Sequence, residues 1–260
     1  MRPEKIKIAP QWSKSKDEIW EETFSGLEDF GLEKKVKRIT IWRYVAAAVV
    51  LAVISLSASY FYHVTKISTP GMQLAVNLPD GSKVRLNADS RLTYKPLWWF
   101  LARNVKLSGE AYFEVKHGRR FSVLSEGKQV SVLGTSFNVF ARPEGYAVTC
   151  LTGRVQVEVN RQTSLLTPNM RLTSRGGNIS VQQKFEGAQA IGWTKSRFVF
   201  VGVPLREVIH EMERQYNISI RTEGDLNHTF TGNFSKTENP EQALDIVGRP
   251  FGIKLSYKNR

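Results

Sequence analysis

The chain has 260 residues and a formal net charge of +13, enough length for two modest domains with separate cores. A single cysteine, Cys150, excludes an intrachain disulfide. With 41% hydrophobic and 23% charged residues the composition is ordinary for a globular protein, apart from one long apolar run.

Residues 1–42 precede that run and contain one segment with a helical period. In SKSKDEIWEETFSGLEDFG (13–31), Trp20, Phe24 and Leu27 fall at i, i+4 and i+7 on one face, among six acidic residues. Ser15 is placed to cap the start and Gly31 to end it. A lone helix of this length cannot bury such a stripe by itself. Either it lies against the membrane or a second copy of the chain, or it binds a partner, offering aromatic anchors to a groove and carboxylates to a basic surface. Nothing else in the arm forms a domain, which favours the second reading.

YVAAAVVLAVISLSASYFY (44–62) has no charge over nineteen positions. As a helix it reaches about 28 Å, close to the ~30 Å of bilayer hydrocarbon. Trp42, Tyr44, Tyr60, Phe61 and Tyr62 crowd its ends, where interfacial aromatics belong. A signal peptide has a shorter apolar core behind a short basic start, and a buried globular helix of this length carries a polar stripe. Residues 43–64 therefore read as one transmembrane helix. Lys34, Lys35, Lys37, Arg38 and Arg43 precede it closely, against Lys66 alone in 63–82. The positive-inside rule then leaves the N-terminus in the cytoplasm and sends residues 65–260 across. Residues 1–43 carry +2 and residues 65–260 carry +11, so most of the basic excess lies away from DNA and no direct nucleic-acid partner is expected.

Residues 65–185 read as an all-β domain, a barrel, sandwich or solenoid-like sheet, with short alternating strands from Gly71 to about Phe185. Asp80-Gly81 in LPDGSKVRLNADSRLTY is a strong turn signal. VKLSGEAYFEVKH, RFSVLSE, QVSVLGTSFNVFA, YAVTCLTGRVQVEVN and NISVQQKF follow, and Cys150 in the fourth reads as a small buried residue. In PLWWF (96–100) adjacent tryptophans point to opposite faces if extended, so one ring is exposed, unless a bend packs both. GTSFN (134–138) lacks the closing glycine of a nucleophile elbow. His63, His117, His210 and His228 show no paired metal spacing. No metal, cofactor or conventional enzyme activity is expected. Gly134-Thr135 is a tight turn or, alternatively, a site where the Thr hydroxyl attacks the preceding carbonyl and the chain cleaves itself.

Residues 193–260 repeat a strand–helix–strand unit. RFVFVGV, PLREVIHEMERQYN and NISIRT are matched by HTFTGNFS, NPEQALDIVGRPFG and IKLSYK. Pro204 and Pro240 stand where each helix opens, and Leu205, Val208, Ile209 and Met212 share one side of the first. This is a compact α+β module whose sheet edges offer backbone groups to a partner strand.

LPDGSKVRLNADSRLTY, LSGEAYFEV, VLGTSFNVFA and LTGRVQV, in that order after a membrane helix, resemble the FecR family, closely over about residues 71–160. Where relatives carry a Pro-Gly turn after the last motif, this chain has LLTPNMRLTS, and Asn169 tolerates the left-handed conformation that a type II turn requires. The C-terminal module is similar to the short domain at the N-termini of secretins and TonB-dependent transducers. The resemblance implies a single-pass inner-membrane regulator with periplasmic C-terminal domains. Its partners would be an extracytoplasmic-function sigma factor, held through Trp20, Phe24 and Leu27, and the signalling domain of an outer-membrane TonB-dependent transporter. An intramembrane protease would release the cytoplasmic piece, aided by Ser55, Ser57, Ala58 and Ser59 in the outer half of the helix. The rival expectation is a membrane-anchored periplasmic scaffold for transport or secretion machinery, in which the arm is dispensable.

Overall fold

The structure, a computed structural model, describes residues 13–25 and 38–260. It divides into two compact units, Met1–Ile54 and Ser55–Arg260. The first holds α1 (Lys16–Phe24) and most of α2 (Arg38–Phe61). Among the described residues, Ile41–Phe61 is the one helical stretch long and apolar enough to cross a membrane, and none of it is buried.

The second unit begins with the last turns of α2 and thirteen strands. These are β1 (Val64–Ser68), β2 (Leu74–Asn77), β3 (Lys83–Leu86), β4 (Ser90–Tyr94), β5 (Arg103–Glu114), β6 (Phe121–Ser125) and β7 (Lys128–Val132). Then come β8 (Ser136–Arg142), β9 (Gly145–Thr152), β10 (Val155–Val159), β11 (Gln162–Leu166), β12 (Met170–Arg175) and β13 (Asn178–Gln182). The strands start earlier than sequence alternation indicates. β1 follows the helix after only Tyr62 and His63, and pairs along its whole length with β4.

Two sheets share β5. One runs β1-β4-β5-β6-β7-β10-β11 and the other β2-β3-β5-β8-β9-β12-β13, antiparallel throughout except for β5 with β6. Of the three architectures open to the sequence, the outcome is a sandwich whose halves enclose one core, with Phe113, Phe121, Phe137, Leu92 and Leu172 fully buried. Cys150 lies in this core, where burial raises its thiol pKa to about 11 and keeps it protonated.

Chain length forces a corner into β5. Straight, its twelve residues would span roughly 40 Å. Yet β6 starts in register with Arg103 after a link of only six residues, 115–120, which reaches about 25 Å at most. The strand must fold back, and it does so at Gly109, whose φ of +103° only glycine adopts readily. Residues 103–108 pair with β4 and β6, and residues 109–114 with β3 and β8. The Asp80-Gly81 turn and the Asn169 turn both form as expected. Asn169 takes φ +65°, and the Met170 N–H donates to Thr167 O at 3.1 Å to close its turn.

After a single turn α3 (Gly187–Ala190), the C-terminal elements are β14 (Arg197–Pro204), α4 (Leu205–Tyr216), β15 (Ile218–Glu223), β16 (Thr229–Ser235), α5 (Pro240–Gly248) and β17 (Lys254–Asn259). The repeated units interlock rather than stand alone: β14 pairs with β16, and β15 with β17. Leu205, Val208, Ile209 and Met212 are all buried in a core shared with Ala243, Leu244 and Val247 of α5. Pro240 is the first residue of its helix behind an Asn239 cap, but Pro204 is one residue earlier than expected, serving as the cap of α4 rather than its first residue. The Leu205 N–H donates to His228 O at 2.8 Å, so the strand ladder holds the backbone through Pro204.

Candidate functional site

The arm helix α1 is closed at its start by a capping box. The Glu18 N–H donates to Ser15 Oγ (3.1 Å), and the Ser15 N–H donates to Glu18 Oε2 (2.8 Å). Trp20 and Phe24 meet with ring centroids 4.4 Å apart and no core beneath them; Trp20 is 63% exposed. Leu27 and the expected helix end at Gly31 lie outside the described residues.

Gly134 and Thr135 lie in the turn between β7 and β8. A Cβ at Gly134 would come within 2.6 Å of His117 Cα, and one at Gly153 within 2.6 Å of Thr135 Cγ2. Close backbone packing therefore accounts for glycine at 134, and a left-handed φ of +73° beside the Thr135 side chain accounts for it at 153. The Thr135 hydroxyl is buried without a hydrogen-bond partner among the described residues.

PLWWF is not extended: Pro96–Trp98 forms a 3-10 turn, so the bend and not strand alternation sets the two tryptophans apart. Trp99 is buried against Tyr94 and Phe121, Trp98 is half-buried, and Phe100 is exposed.

A second site, with no signal in the local sequence, is the seam between the sandwich and α4. The outer face of the β5–β8 half is polar, as expected of a solvent-facing sheet, yet much of it is buried. α4 explains this, because its apolar side faces its own core while Glu207, His210, Glu211, Arg214 and Gln215 line the other. At the centre, Glu110 accepts from Asn87 Nδ2 (2.8 Å) and from Asn138 Nδ2 (2.8 Å), and its N–H donates to Ser90 Oγ (2.9 Å). Gln215 Nε2 bridges Asn87 Oδ1 (2.6 Å) and Glu211 Oε1 (2.8 Å). Arg214 clamps Glu144 (2.7 Å) and Glu211 (3.0 Å), and His210 Nδ1 lies 3.1 Å from the same Glu144. Arg142 donates to the carbonyls of Ala88 and Asp89. Asn87, Glu110 and Asn138 come from three separate motifs quoted above, so those motifs converge on one buried carboxylate.

Charge follows burial here. Desolvation, reinforced by nearby Glu211, raises the Glu110 carboxyl above its ordinary 4.5 against the opposing pull of Arg142 and the two amides. At Glu144 burial pushes the same way, but the Arg214 hydrogen bond and charge outweigh it and the net direction is down. Beside these groups the seam opens into a cavity of about 650 Å³, with Arg171, Arg175, Glu207, Trp193 and Phe200 in its walls.

Two family models match the chain, one described as FecR protein over residues 65–156 and one as FecR, C-terminal over residues 197–260. Two crystal structures of a candidate anti-sigma factor from Parabacteroides distasonis are similar to it. The first aligns at 26% identity with a TM-score of 0.69, over 76% of this chain and 100% of its own. The second aligns at 26% identity and 0.68, over 76% and 99%. No curated protein matches the chain. The two family matches take in both sides of the seam, Asn87, Glu110 and Asn138 in one and α4 in the other, and together cover more than half of the residues. This chain belongs to the FecR family.

Proposed function

We propose that the chain is an anti-sigma factor that spans the inner membrane once, with residues 1–42 in the cytoplasm and residues 65–260 in the periplasm. The observation that carries this reading is the overlap of a candidate anti-sigma factor, over its entire length, with this chain at 26% identity. The arm supplies the output end. Trp20 and Phe24 form an exposed aromatic pair on an acidic helix, the form of an anchor that inserts into an apolar groove with basic rims. The partner is an extracytoplasmic-function sigma factor.

At the other end, β14 and β16 pair only with one another, as do β15 and β17, so each ladder leaves outer strand edges without a sheet neighbour among the described residues. Such edges suit docking by strand addition, here of the signalling domain of a TonB-dependent transporter. Release of the arm would follow proteolysis within α2. Its outer half carries Ser55, Ser57 and Ser59, and Ser59 Oγ already donates to Leu56 O at 2.8 Å, a bond that competes with the helix ladder.

Capture of sigma factors by the detergent-solubilised full chain tests the output end. One sigma factor is expected to bind specifically, and Trp20→Ala with Leu27→Ala to weaken it about 30-fold or more, as loss of a buried aromatic anchor does. Capture unchanged by the double substitution would remove the arm from the mechanism and favour the scaffold.

A further inference from the structure

The end of the sandwich at which the chain leaves α2 is apolar. β1 begins there and β4 ends there, since Val64 pairs with Tyr94. β5 and β6 also begin there, since Arg103 pairs with Phe121. The corner in β5 returns the 115–120 loop to the same end, where Arg103 donates to Lys116 O (2.9 Å) and Arg119 O (2.7 Å). The Gly118 N–H in turn donates to Leu133 O at 2.8 Å. On these joined loops Leu97, Phe100, Leu101 and Leu133 are 54%, 65%, 60% and 56% exposed. Trp99, packed against Tyr94 at 5.8 Å and Phe121 at 6.0 Å between ring centroids, fixes the loop that presents the first three.

This patch is continuous with the end of the helix. Trp98 meets Tyr60, in the last turn of α2, edge to face at 5.8 Å, and Lys95 Nζ lies 3.6 Å from the centre of the Tyr60 ring. Phe61 and Tyr62 beside them are exposed. Aromatic rings with a lysine at the end of an apolar helix are the residues that settle at the boundary between hydrocarbon and headgroups. Around the patch stand Lys116, Arg119 and Arg120, all exposed; the acidic residues on the same loops are Glu114 and Asp80, and Asp80 is already paired with Arg103. Exposed apolar tips ringed by cations fit an anionic lipid surface.

We infer that this end of the sandwich seats on the membrane that α2 crosses, with Leu97, Phe100, Leu101 and Leu133 among the lipid headgroups and the surrounding lysine and arginine side chains against anionic ones. The inference rests on α2 being a membrane helix. Seating makes the membrane, not water alone, the environment of the loops that start β5, β6 and β8.

The test uses the full chain in vesicles of phosphatidylcholine, with and without phosphatidylglycerol, carrying one nitroxide at a time. Phe100→Cys reports the patch, Gln162→Cys the opposite end of the sandwich, and Val50→Cys the helix. Phe100 and Gln162 are exposed and Cys150 is buried in the core, so labelling leaves the fold intact and the native thiol silent. The Phe100 label is expected to collide severalfold more with oxygen, which dissolves in lipid, than with a water-soluble nickel complex. That excess should rise with phosphatidylglycerol and be absent at Gln162. An aqueous Phe100 label alongside a lipid-buried Val50 label overturns the seating alone. An aqueous Val50 label overturns the membrane helix and the seating with it. A Phe100 label shielded from both probes, with spin broadening that vanishes on dilution by unlabelled chain, shows a second copy covering the patch and likewise overturns the proposal.

Discussion

Gly109→Ala is expected to destabilise the Ser55–Arg260 unit by at least ~3 kcal/mol, enough to unfold a marginal domain. Two costs combine. The residue has φ +103°, where a side chain strains the backbone, and a new Cβ would lie 2.5 Å from Ser90 Oγ and 2.7 Å from Ser90 Cα. Retreat is blocked on both sides, because Gly109 pairs with Ala141 while the neighbouring Glu110 N–H is held by Ser90 Oγ. Urea denaturation of the solubilised chain, followed by tryptophan fluorescence, reads the shift. Ser90→Ala should not rescue it, since the clash with the backbone of residue 90 remains. A wild-type midpoint for Gly109→Ala would mean that β5 turns its corner elsewhere.

Glu110→Ala is expected to cost about 3–5 kcal/mol, the usual result of breaking one side of a buried charged network. It strands the Asn87 and Asn138 amides without their acceptor and removes one of the carboxylates, with Glu211, whose charge supports Arg142. Glu110→Gln should cost only about 1 kcal/mol. It removes a charge that burial penalises, and Asn138 Oδ1, which lacks a partner, can accept from the new amide if Asn138 turns over. Loss of the seam should show as faster proteolysis between residues 185 and 197 before the sandwich itself unfolds. Equal stability for all three chains would mean that the seam contributes nothing to holding the module.

The same carboxyl gives the seam a pH dependence with a definite sign. Because its pKa is raised in the folded chain, the cost of burying its charge is full above that value and relieved as pH falls through it toward 4.5. Glu144 and Asp80 are lowered, so what they contribute is present above their ordinary values and lost as pH falls below them. The part of the stability that these three groups set should therefore peak between 4.5 and the raised Glu110 value, and Glu110→Gln should flatten the rise that leads to the peak as pH falls.

Local chemistry was legible in the sequence where it decides the outcome locally. The turns at Asp80-Gly81 and Asn169, the cap at Ser15 and the apolar side of α4 each depend on a few adjacent residues. β1 was not legible. VTKIS is a short edge strand with three exposed positions, and next to a long apolar run it carries no pattern of its own. The seam was hidden for another reason. Alternation along β5 places Glu110 outward, correctly, but the side chains that bury it belong to a helix about a hundred residues later in the chain. The crossed pairing of the C-terminal strands is likewise invisible to a repeat, which indicates what recurs and not which copy pairs with which.

The junction between α2 and β1 has a mechanical consequence. Only Tyr62 and His63 separate the last helical residue from the first residue of a strand that is paired throughout, so there is no slack between them. A tug on the chain at this point, directed along β1, loads the hydrogen bonds from Val64–Tyr94 to Ser68–Ser90 together, in shear, instead of opening them one at a time. A twist or displacement of the sandwich is thus delivered to Phe61 almost undiminished. The joint behaves as a rigid lever arm, where a longer glycine-rich connection would act as a loose tether.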